Sequence, residues 1–212
     1  MKKGVFITVE GTDGCGKTSV LTYLRNKLAE KNLDILWTYE PGGTDNKIAN
    51  CIRELILDPA NSEMDARTEA LLYAASRRQH LVQTILPALE EGRIVISDRY
   101  VDSSLVYQGV ARGLGMEEVA KINAYATEGK EPDITIFLDV KPEISLARRN
   151  HDTTRDMDRL DQEPLKFHQA VYDGYQKLIH DDPDRFIVID ASQDLQSEEE
   201  AVLQAVLRYL HA

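Results

Sequence analysis

Short apolar runs rich in β-branched residues alternate along the chain with longer segments whose apolar positions repeat at helical spacing. The runs cover residues 5–9, 35–39, 94–97, 134–138 and 186–189. Because each run is almost continuously apolar and a helix-length segment separates it from the next, we interpret the runs as parallel strands buried on both faces. The pattern predicts an α/β fold, with a parallel sheet covered by helices on both faces.

The segments between the runs predict helices over residues 17–30, 46–57, 66–91, 116–127, 142–149, 164–180 and 198–210. We expect Pro87 to kink the last turn of the third helix, because proline lacks the N–H that a helical hydrogen bond needs. Ser197 directly precedes the last segment. It is therefore the predicted N-cap of that helix.

A phosphate-binding motif follows the first run. Residues 11–18 read GTDGCGKT, a full match to GxxxxGK(S/T). The glycines let the backbone curl so that its N–H groups point at a β-phosphate, while Lys17 bridges the β- and γ-phosphates and Thr18 offers its hydroxyl to Mg²⁺. A strand and a helix flank the motif on the correct sides, which argues against a chance glycine-rich turn. The predicted nucleotide site comprises Gly11, Thr12, Asp13, Gly14, Cys15, Gly16, Lys17, Thr18 and Ser19.

The charge balance argues against several partners. Lys and Arg number 25 against 36 Asp and Glu, which gives a net charge of −11 over 212 residues. A surface of this sign repels nucleic acid and anionic lipid, so we expect neither a nucleic-acid partner nor a membrane partner. The length suits one α/β domain spanning residues 1–212.

Cysteine use and the start of the chain indicate a cytoplasmic protein. Cys15 and Cys51 lie 36 positions apart and outside any CxxC pair, so we expect free thiols in a reducing compartment. The first apolar run has five residues and ends before Glu10. We therefore expect no export or membrane segment there.

Asp98 directly follows the run 94–97. It is expected at the carboxyl end of a strand, where open α/β sheets bind ligands. We predict that Asp98 and Thr18 hold Mg²⁺; the alternative is a surface ion pair between Asp98 and Arg99. Several arginines in this acidic chain together indicate phosphate recognition, although a solvated helix face would explain any single one. They are Arg53, Arg77, Arg78, Arg99, Arg155 and Arg159.

Two further segments indicate a pocket for a nucleobase. Glu40 and Pro41 begin an EPGG segment after the second run, where backbone can approach a ligand closely, although alone it would suit any turn. Residues 98–109 supply hydroxyl and amide groups suited to a base edge. These are Ser103, Ser104, Tyr107 and Gln108. The guanine-reading NKxD motif does not occur in the sequence, which argues against a GTPase.

Residues 150–162, NHDTTRDMDRLDQ, form a strongly polar segment in which only Met157 and Leu160 are apolar. Such a segment contributes little to a core. Its position between two predicted helices of a phosphate-loop protein favours a mobile lid at about 150–162 over a solvated loop.

Together these motifs resemble the thymidylate kinases. The matching segments are FITVEGTDGCGKTS, EPGG, TEALLYAASRRQH, DRYVDSSLVYQG, PDITIFLDV and RLDQE, which cover nearly the whole chain in the family's order. The resemblance implies the P-loop nucleoside monophosphate kinase fold, with a parallel sheet in the order 2-3-1-4-5 and a short lid. It also implies that ATP and Mg²⁺ phosphorylate dTMP to dTDP, in a homodimer.

The resemblance also implies residue roles. Lys17 and Thr18 would hold ATP and Mg²⁺, and Asp13 would hold the sugar 3′-hydroxyl. The implied acceptor contacts are stacking on thymine by Tyr73, base-edge contacts from Arg77 and Gln108, monophosphate contacts from Arg53 and Arg99, and further contacts from Glu40, Pro41, Ser103, Ser104 and Tyr107. The implied catalytic residues are Lys17, Asp98, Arg99 and Arg155.

Family members differ in whether an arginine lies in the phosphate loop or in the lid. This loop carries Gly14 and Cys15 whereas the lid carries Arg155, so the chain resembles the bacterial type with the catalytic arginine in the lid. Arg159 is the competing candidate. The sequence also departs from the family's usual residues at Val9, Tyr39 and Val106, which concerns the shape of the pocket rather than the reaction.

Two alternatives stay open at the level of the sequence. One is another nucleoside monophosphate kinase, which would share the phosphate loop and lid but use a different acceptor. The other is a nucleotide-binding sensor without turnover. A panel of acceptor nucleotides distinguishes the first, and release of ADP excludes the second.

Overall fold

The computed structural model describes residues 4–151 and 158–211. Within these residues a parallel five-stranded sheet has the spatial order β2-β3-β1-β4-β5. The strands are β1 (Val5–Gly11), β2 (Ile35–Tyr39), β3 (Ile94–Asp98), β4 (Ile134–Asp139) and β5 (Phe186–Asp190). The predicted parallel sheet and its order 2-3-1-4-5 are confirmed.

Helices occupy the segments between the strands. The α-helices of the described part are α1 (Lys17–Ala29), α2 (Lys47–Leu57), α3 (Ala66–His80), α4 (Leu86–Glu90), α5 (Val101–Ser104), α6 (Met116–Thr127), α7 (Pro142–His151), α8 (Leu165–Asp181) and α9 (Leu195–His211). Two π-helical segments cover Leu81–Ile85 and Leu105–Ala111, and two 3₁₀ turns cover Pro59–Asn61 and Leu160–Gln162. Residues 152–157, six of the thirteen in the range predicted as a lid at 150–162, lie outside the described residues.

The long helix predicted over residues 66–91 is interrupted before its proline. Helix α3 ends at His80, the π-helical segment Leu81–Ile85 follows, and Pro87 lies in the first turn of α4. Pro87 donates no N–H and its ring crowds the carbonyl one turn earlier, so a widened turn before it accommodates both effects. The irregularity therefore precedes the predicted kink.

The last helix begins earlier than predicted. Helix α9 starts at Leu195, so Ser197 lies inside its first turn and the prediction of Ser197 as the N-cap is wrong. Asp194 precedes the helix and accepts hydrogen bonds from the Ser197 N–H at 3.1 Å and from the Ser197 hydroxyl at 2.7 Å. An aspartate oxygen satisfies N–H groups that the first helical turn leaves unpaired, which explains the earlier start.

The central strands β1, β3 and β4 are buried on both faces, as the continuous apolar runs predicted, whereas the edge strands β2 and β5 are partly exposed. Successive residues of β1 point to opposite faces. On one face Ile7 packs in a cluster with Leu24 of α1 and Val202 of α9. On the other face Phe6 packs in a cluster with Leu81 from the π-helical segment before α4. The sheet is thus held rigidly between helical layers.

The register brings the carboxyl ends of three strands together. Asp98, the last residue of β3, lies opposite Val9 of β1 on one side and opposite Tyr39 of β2 on the other. Because parallel strands end at the same edge of a sheet, the loops that follow β1, β2 and β3 meet there.

Candidate active site

A cavity of about 1060 Å³ opens at this edge of the sheet. Its volume lies just above the range of roughly 300–1000 Å³ that is usual for one small ligand, which suits two ligands. The predicted site residues that line it are Asp13, Gly14, Cys15, Gly16, Lys17, Thr18, Ser19, Glu40, Pro41, Arg53, Tyr73, Arg77, Asp98, Arg99, Ser103, Tyr107 and Gln108. The structure therefore brings most of the predicted site together.

Other predicted residues lie elsewhere. Gly11 and Thr12 are not among the lining residues, but their carbonyl oxygens accept hydrogen bonds from the Lys17 ammonium. Ser104 is likewise outside the lining and accepts a hydrogen bond from Arg77 at 3.0 Å. Arg155 falls outside the described residues.

The phosphate loop has the curled backbone that its sequence predicts. Gly14 and Gly16 have φ angles of 79° and 107°, in the left-handed region that favours glycine. A Cβ atom at Gly14 would lie 2.2 Å from the carbonyl oxygen of Ser145, so α7 packs directly on the loop. The buried Lys17 Nζ donates to the carbonyl oxygens of Gly11 at 3.1 Å and Thr12 at 3.2 Å. This arrangement concentrates positive charge beside the N-terminus of α1.

Asp98 offers a free acceptor to the cavity. Its Oδ1 atom is buried and has no hydrogen-bond partner among the described residues. Thr18, at the start of α1, lines the same cavity. A buried carboxylate oxygen without a partner is costly unless a ligand satisfies it, so the pair fits a hard cation such as Mg²⁺.

Arg99 is held at the centre of the site. It follows β3 with a φ of 71°, and its guanidinium forms an ion pair with Asp13 at 2.6 Å and donates to the carbonyl oxygen of Gly11 at 3.0 Å. Tyr107 donates to the other Asp13 oxygen at 2.9 Å. Burial alone would raise the pKa of Asp13, but Arg99 and Lys17 outweigh it and hold this pKa below its usual range. Asp13 is therefore an ionised acceptor in the cavity.

Arg77 is buried and mostly engaged with the protein. Its guanidinium donates to Glu40 at 2.6 Å, to Ser104, to Asn123 and to the carbonyl oxygen of Tyr100 at 2.9 Å. These bonds use four of its five N–H groups, and Arg77 also lines the cavity. The base-edge role of this residue stays a prediction.

Gln108 lies in the π-helical segment Leu105–Ala111. Its side-chain amide donates to Glu69 of α3 at 2.8 Å, while its buried Oε1 atom has no partner in the part of the chain that the structure describes. Tyr73, one helical turn after Glu69, lines the cavity with Gln108 and is 8% exposed. An aromatic ring and an unsatisfied amide oxygen are suited to the face and the edge of a nucleobase.

Comparisons with known proteins agree with this geometry. The family model described as thymidylate kinase matches residues 9–202. The chain is 50% identical over 210 residues to a thymidylate kinase of Shouchella clausii, covering 99% of this chain and 98% of that protein. It is 53% identical over 206 residues to one of Enterococcus faecalis, covering 97% and 96%. The relative of Lactobacillus delbrueckii subsp. bulgaricus is 57% identical over 194 residues, covering 91% of each chain.

The chain belongs to the thymidylate kinase family. The protein is therefore an ATP-dependent nucleoside monophosphate kinase that phosphorylates dTMP. No helix within residues 4–151 and 158–211 is long and apolar enough to cross a membrane.

Some groups of this thymidylate kinase site were not predicted from the sequence. Glu10, fully buried at the end of β1, accepts hydrogen bonds from the Tyr100 N–H at 2.8 Å and from the Ser103 and Tyr175 hydroxyls at 2.7 Å each. Burial, reinforced by Asp102, raises the pKa of Glu10. Its position between the apolar run 5–9 and the phosphate loop was the available signal, because a carboxylate that is buried there needs such donors.

The side of the cavity next to α9 was also missed. Arg148, Arg149, Gln193, Asp194, Leu195 and Glu198 line it. Arg148 is fixed by its bonds to the carbonyl oxygens of Ala191 at 2.7 Å and Gln193 at 3.3 Å. Glu198 is 2% exposed, its Oε1 atom has no partner among the described residues, and burial raises its pKa to about 7. These residues follow β4 and β5, which are remote from the phosphate-loop motif along the sequence.

Arg159, the second predicted lid arginine, is a buried residue that does not line the cavity. Its guanidinium donates to the carbonyl oxygen of Ile56 at 3.0 Å and forms an ion pair with Glu69 at 2.5 Å. Its backbone N–H donates to the Leu57 carbonyl at 3.1 Å. In this conformation Arg159 ties the C-terminal part of the predicted lid range to α2 and α3.

Proposed function

We propose that this cavity transfers the γ-phosphoryl group of ATP to the phosphate of dTMP, giving dTDP and ADP. The observation that carries the proposal is that one cavity joins the phosphate loop to Tyr73 and Gln108, in a chain whose family match spans residues 9–202. The phosphate loop suits the donor, and the aromatic and amide side chains suit the acceptor base.

The donor site is built from Gly11, Thr12, Asp13, Gly14, Cys15, Gly16, Lys17, Thr18 and Ser19. Lys17 lies in the loop where it can follow the transferred phosphoryl group. Thr18 and Asp98 would hold Mg²⁺, which neutralises phosphate charge when bound. The unpartnered Asp98 oxygen described above supports this assignment.

The acceptor site is the part of the cavity that Tyr73, Arg77 and Gln108 line. Tyr73 stacks on thymine, and Gln108 and Arg77 address its polar edge. Arg53 donates to the Pro41 carbonyl at 2.7 Å and lies 5.2 Å from the Tyr39 ring centroid, which holds it at the wall of the cavity that Arg99 also lines. The two guanidiniums would bind the monophosphate. Asp13 accepts from the sugar 3′-hydroxyl, and Glu40, Pro41, Ser103, Ser104 and Tyr107 complete the surroundings.

Catalysis in this proposal rests on positioning and charge neutralisation. The attacking group is a phosphate oxygen that is already ionised near neutral pH, so no general base is required. Lys17 and Arg99 stabilise the charge on the transferred group, and Asp98 organises the cation and Arg99. Arg155 supplies further positive charge from the lid at residues 150–162 of this single kinase domain.

We also propose a cytoplasmic homodimer. Large apolar side chains are exposed on α2 and α3, with Ile48 at 55%, Leu55 at 47% and Leu71 at 57% exposure. Helices α2 and α3 pack against each other, and we assign these exposed side chains to an interface with a second copy of the chain. A cytoplasmic location supplies both ATP and dTMP, and the buried Cys15 and exposed Cys51 are free thiols there.

A coupled ADP-release assay tests the proposed function. With ATP and Mg²⁺, we expect turnover with dTMP to exceed that with dUMP, dCMP, dGMP, AMP and UMP. Preference for a different monophosphate would favour the alternative of another nucleoside monophosphate kinase. Binding of ATP and dTMP without ADP release would favour a sensor without turnover.

A further inference from the structure

Glu69 is a fully buried carboxylate with three side-chain partners, two from the π-helical segment at residues 105–111 and its C-cap and one from the end of the predicted lid range. Its Oε1 atom accepts from the Gln108 amide at 2.8 Å and from Arg112 Nε at 3.3 Å. Its Oε2 atom pairs with Arg159 at 2.5 Å. Arg112 in turn pairs with Glu163 at 2.6 Å. The two carboxylates and two guanidiniums balance, so the cluster is neutral.

The carboxylate determines which end of the Gln108 amide faces Glu69. An ionised carboxylate only accepts hydrogen bonds, so the amide must turn its NH₂ group toward Glu69. A flipped amide would place two acceptor oxygens against each other. The Gln108 oxygen is consequently presented on the other side, where it has no partner among the described residues.

We propose that Glu69 is a positioning residue for base specificity, because it holds the Gln108 amide with its oxygen toward the acceptor base. The proposal rests on the proposed function, in which Gln108 reads the pyrimidine edge. A thymine or uracil ring carries an N–H donor at N3, which this oxygen accepts. A cytosine ring instead carries an acceptor at N3. Its lone pair would face a lone pair of the Gln108 oxygen, and this repulsion disfavours binding of cytosine.

The variant Glu69→Gln tests this idea. A glutamine at position 69 accepts through its oxygen and donates through its nitrogen, so the Gln108 amide can bond to it in either orientation. We expect the ratio of kcat/KM for dTMP over dCMP to fall at least about tenfold, since one unmatched polar contact has this scale. The dTMP over dUMP ratio is the internal control and should stay unchanged, because both bases carry N3–H.

Two further variants distinguish a change in the orientation of the Gln108 amide from general damage to the structure. Glu163→Gln removes the other carboxylate of the cluster without touching Gln108, and we expect both ratios to stay at the wild-type values. The double variant Glu69→Gln/Gln108→Glu exchanges the two side chains. It again presents a group that only accepts hydrogen bonds to the base, and the hydrogen bond between the two positions is now donated from position 69 to position 108. We expect this double variant to recover the preference for dTMP over dCMP.

An unchanged dTMP over dCMP ratio in a folded Glu69→Gln protein would overturn the role of Glu69 while leaving the proposed function intact. A wild-type protein inactive on dTMP would overturn both. Should Glu69→Gln not fold, the side-chain amide protons of Gln108 in the wild-type protein provide the readout by NMR. We expect slow exchange with solvent, and rapid exchange would overturn the proposal.

Discussion

At the scale of single residues, the site depends on a few buried charged groups. Lys17 is 8% exposed and bonds only to loop carbonyls and, at 3.6 Å, to the Cys15 sulfur among the described residues. No carboxylate within the described residues forms an ion pair with it. Its charge is thus available to a phosphate, whereas the charge of Arg99 is already shared with Asp13.

Replacement of Lys17 by alanine should therefore lower kcat by about a hundredfold or more, the scale seen when one preorganised charge stabiliser is removed. The coupled ADP-release assay at saturating ATP and dTMP measures this. Thermal unfolding of the variant provides the control for folding. A variant that keeps more than about a third of wild-type kcat would contradict the role of Lys17.

Glu198 predicts a pH dependence of stability. Burial, opposed in part by Arg148, raises the pKa of Glu198 to about 7 from 4.5. Because the pKa of Glu198 is raised in the folded state, its contribution to the free energy of unfolding is fully present below about pH 4.5. This contribution is lost as the pH rises through 7. Glu198→Gln keeps a neutral side chain and should lose less free energy of unfolding than the wild type between pH 5 and pH 8.5.

Urea unfolding at several pH values checks this expectation. Glu63 is an exposed carboxylate that is not among the groups shifting the pKa of Glu198, so Glu63→Gln serves as the matched control and should follow the wild-type curve. Parallel curves for the wild type and Glu198→Gln would show that Glu198 does not titrate in this range.

At the scale of secondary-structure elements, the strands and the phosphate loop were predictable because their signals are local. A continuous apolar run and the spacing of GTDGCGKT need only neighbouring residues to be recognised. The helix over residues 101–111 was missed because its first part is short and its second part is π-helical. Such widened turns are stabilised by tertiary contacts rather than by helical periodicity.

The buried hydrogen-bond and ion-pair networks could not be predicted from the sequence. Glu10 meets Tyr100 and Tyr175 across sequence separations of 90 and 165 residues, and Glu69 meets Arg159 across 90. No local pattern encodes such pairs. What the sequence does show is that a charged residue, Glu10, lies directly between the apolar run and the phosphate loop, which signals a partner without identifying it.

The predicted lid range contains two arginines with different expected roles. Arg155 is the proposed catalytic residue, and Arg155→Ala should lower kcat by ~10³ with little change in nucleotide dissociation constants, as for an arginine finger. Single-turnover kinetics and calorimetry measure the two quantities. Near-normal kcat in this variant, with a large loss in Arg159→Ala, would reverse the assignment.

Arg159→Ala should act mainly on stability. It removes one partner of the buried Glu69, and a broken buried pair costs ~3–5 kcal/mol, with the lower end expected because Arg112 remains beside Glu69. Urea unfolding measures the loss. Arg148→Ala is a matched arginine control outside this cluster and should cost less.

At the scale of the whole molecule, the exposed apolar surface on α2 and α3 predicts assembly. We expect light scattering to give twice the monomer mass of 23.9 kDa. Leu71→Asp places a charge on this surface and should shift the protein to monomer, because a buried unpaired carboxylate is costly at an interface. Leu165→Asp changes a side chain of similar exposure, 49%, on α8 and should leave the dimer intact.

A dimer that persists in Leu71→Asp would place the interface elsewhere. A wild-type protein that stays monomeric at high concentration would remove the homodimer from the proposal.

The three donors gathered by Glu10 have a consequence for how this chain can change over evolution. Tyr100 contributes only a backbone N–H, so its side chain can vary without breaking that bond. Ser103 and Tyr175 contribute hydroxyls, and loss of either leaves a buried carboxylate short of a donor. Positions 10, 103 and 175 should therefore be inherited as a unit, with replacements at one accompanied by replacements at the others.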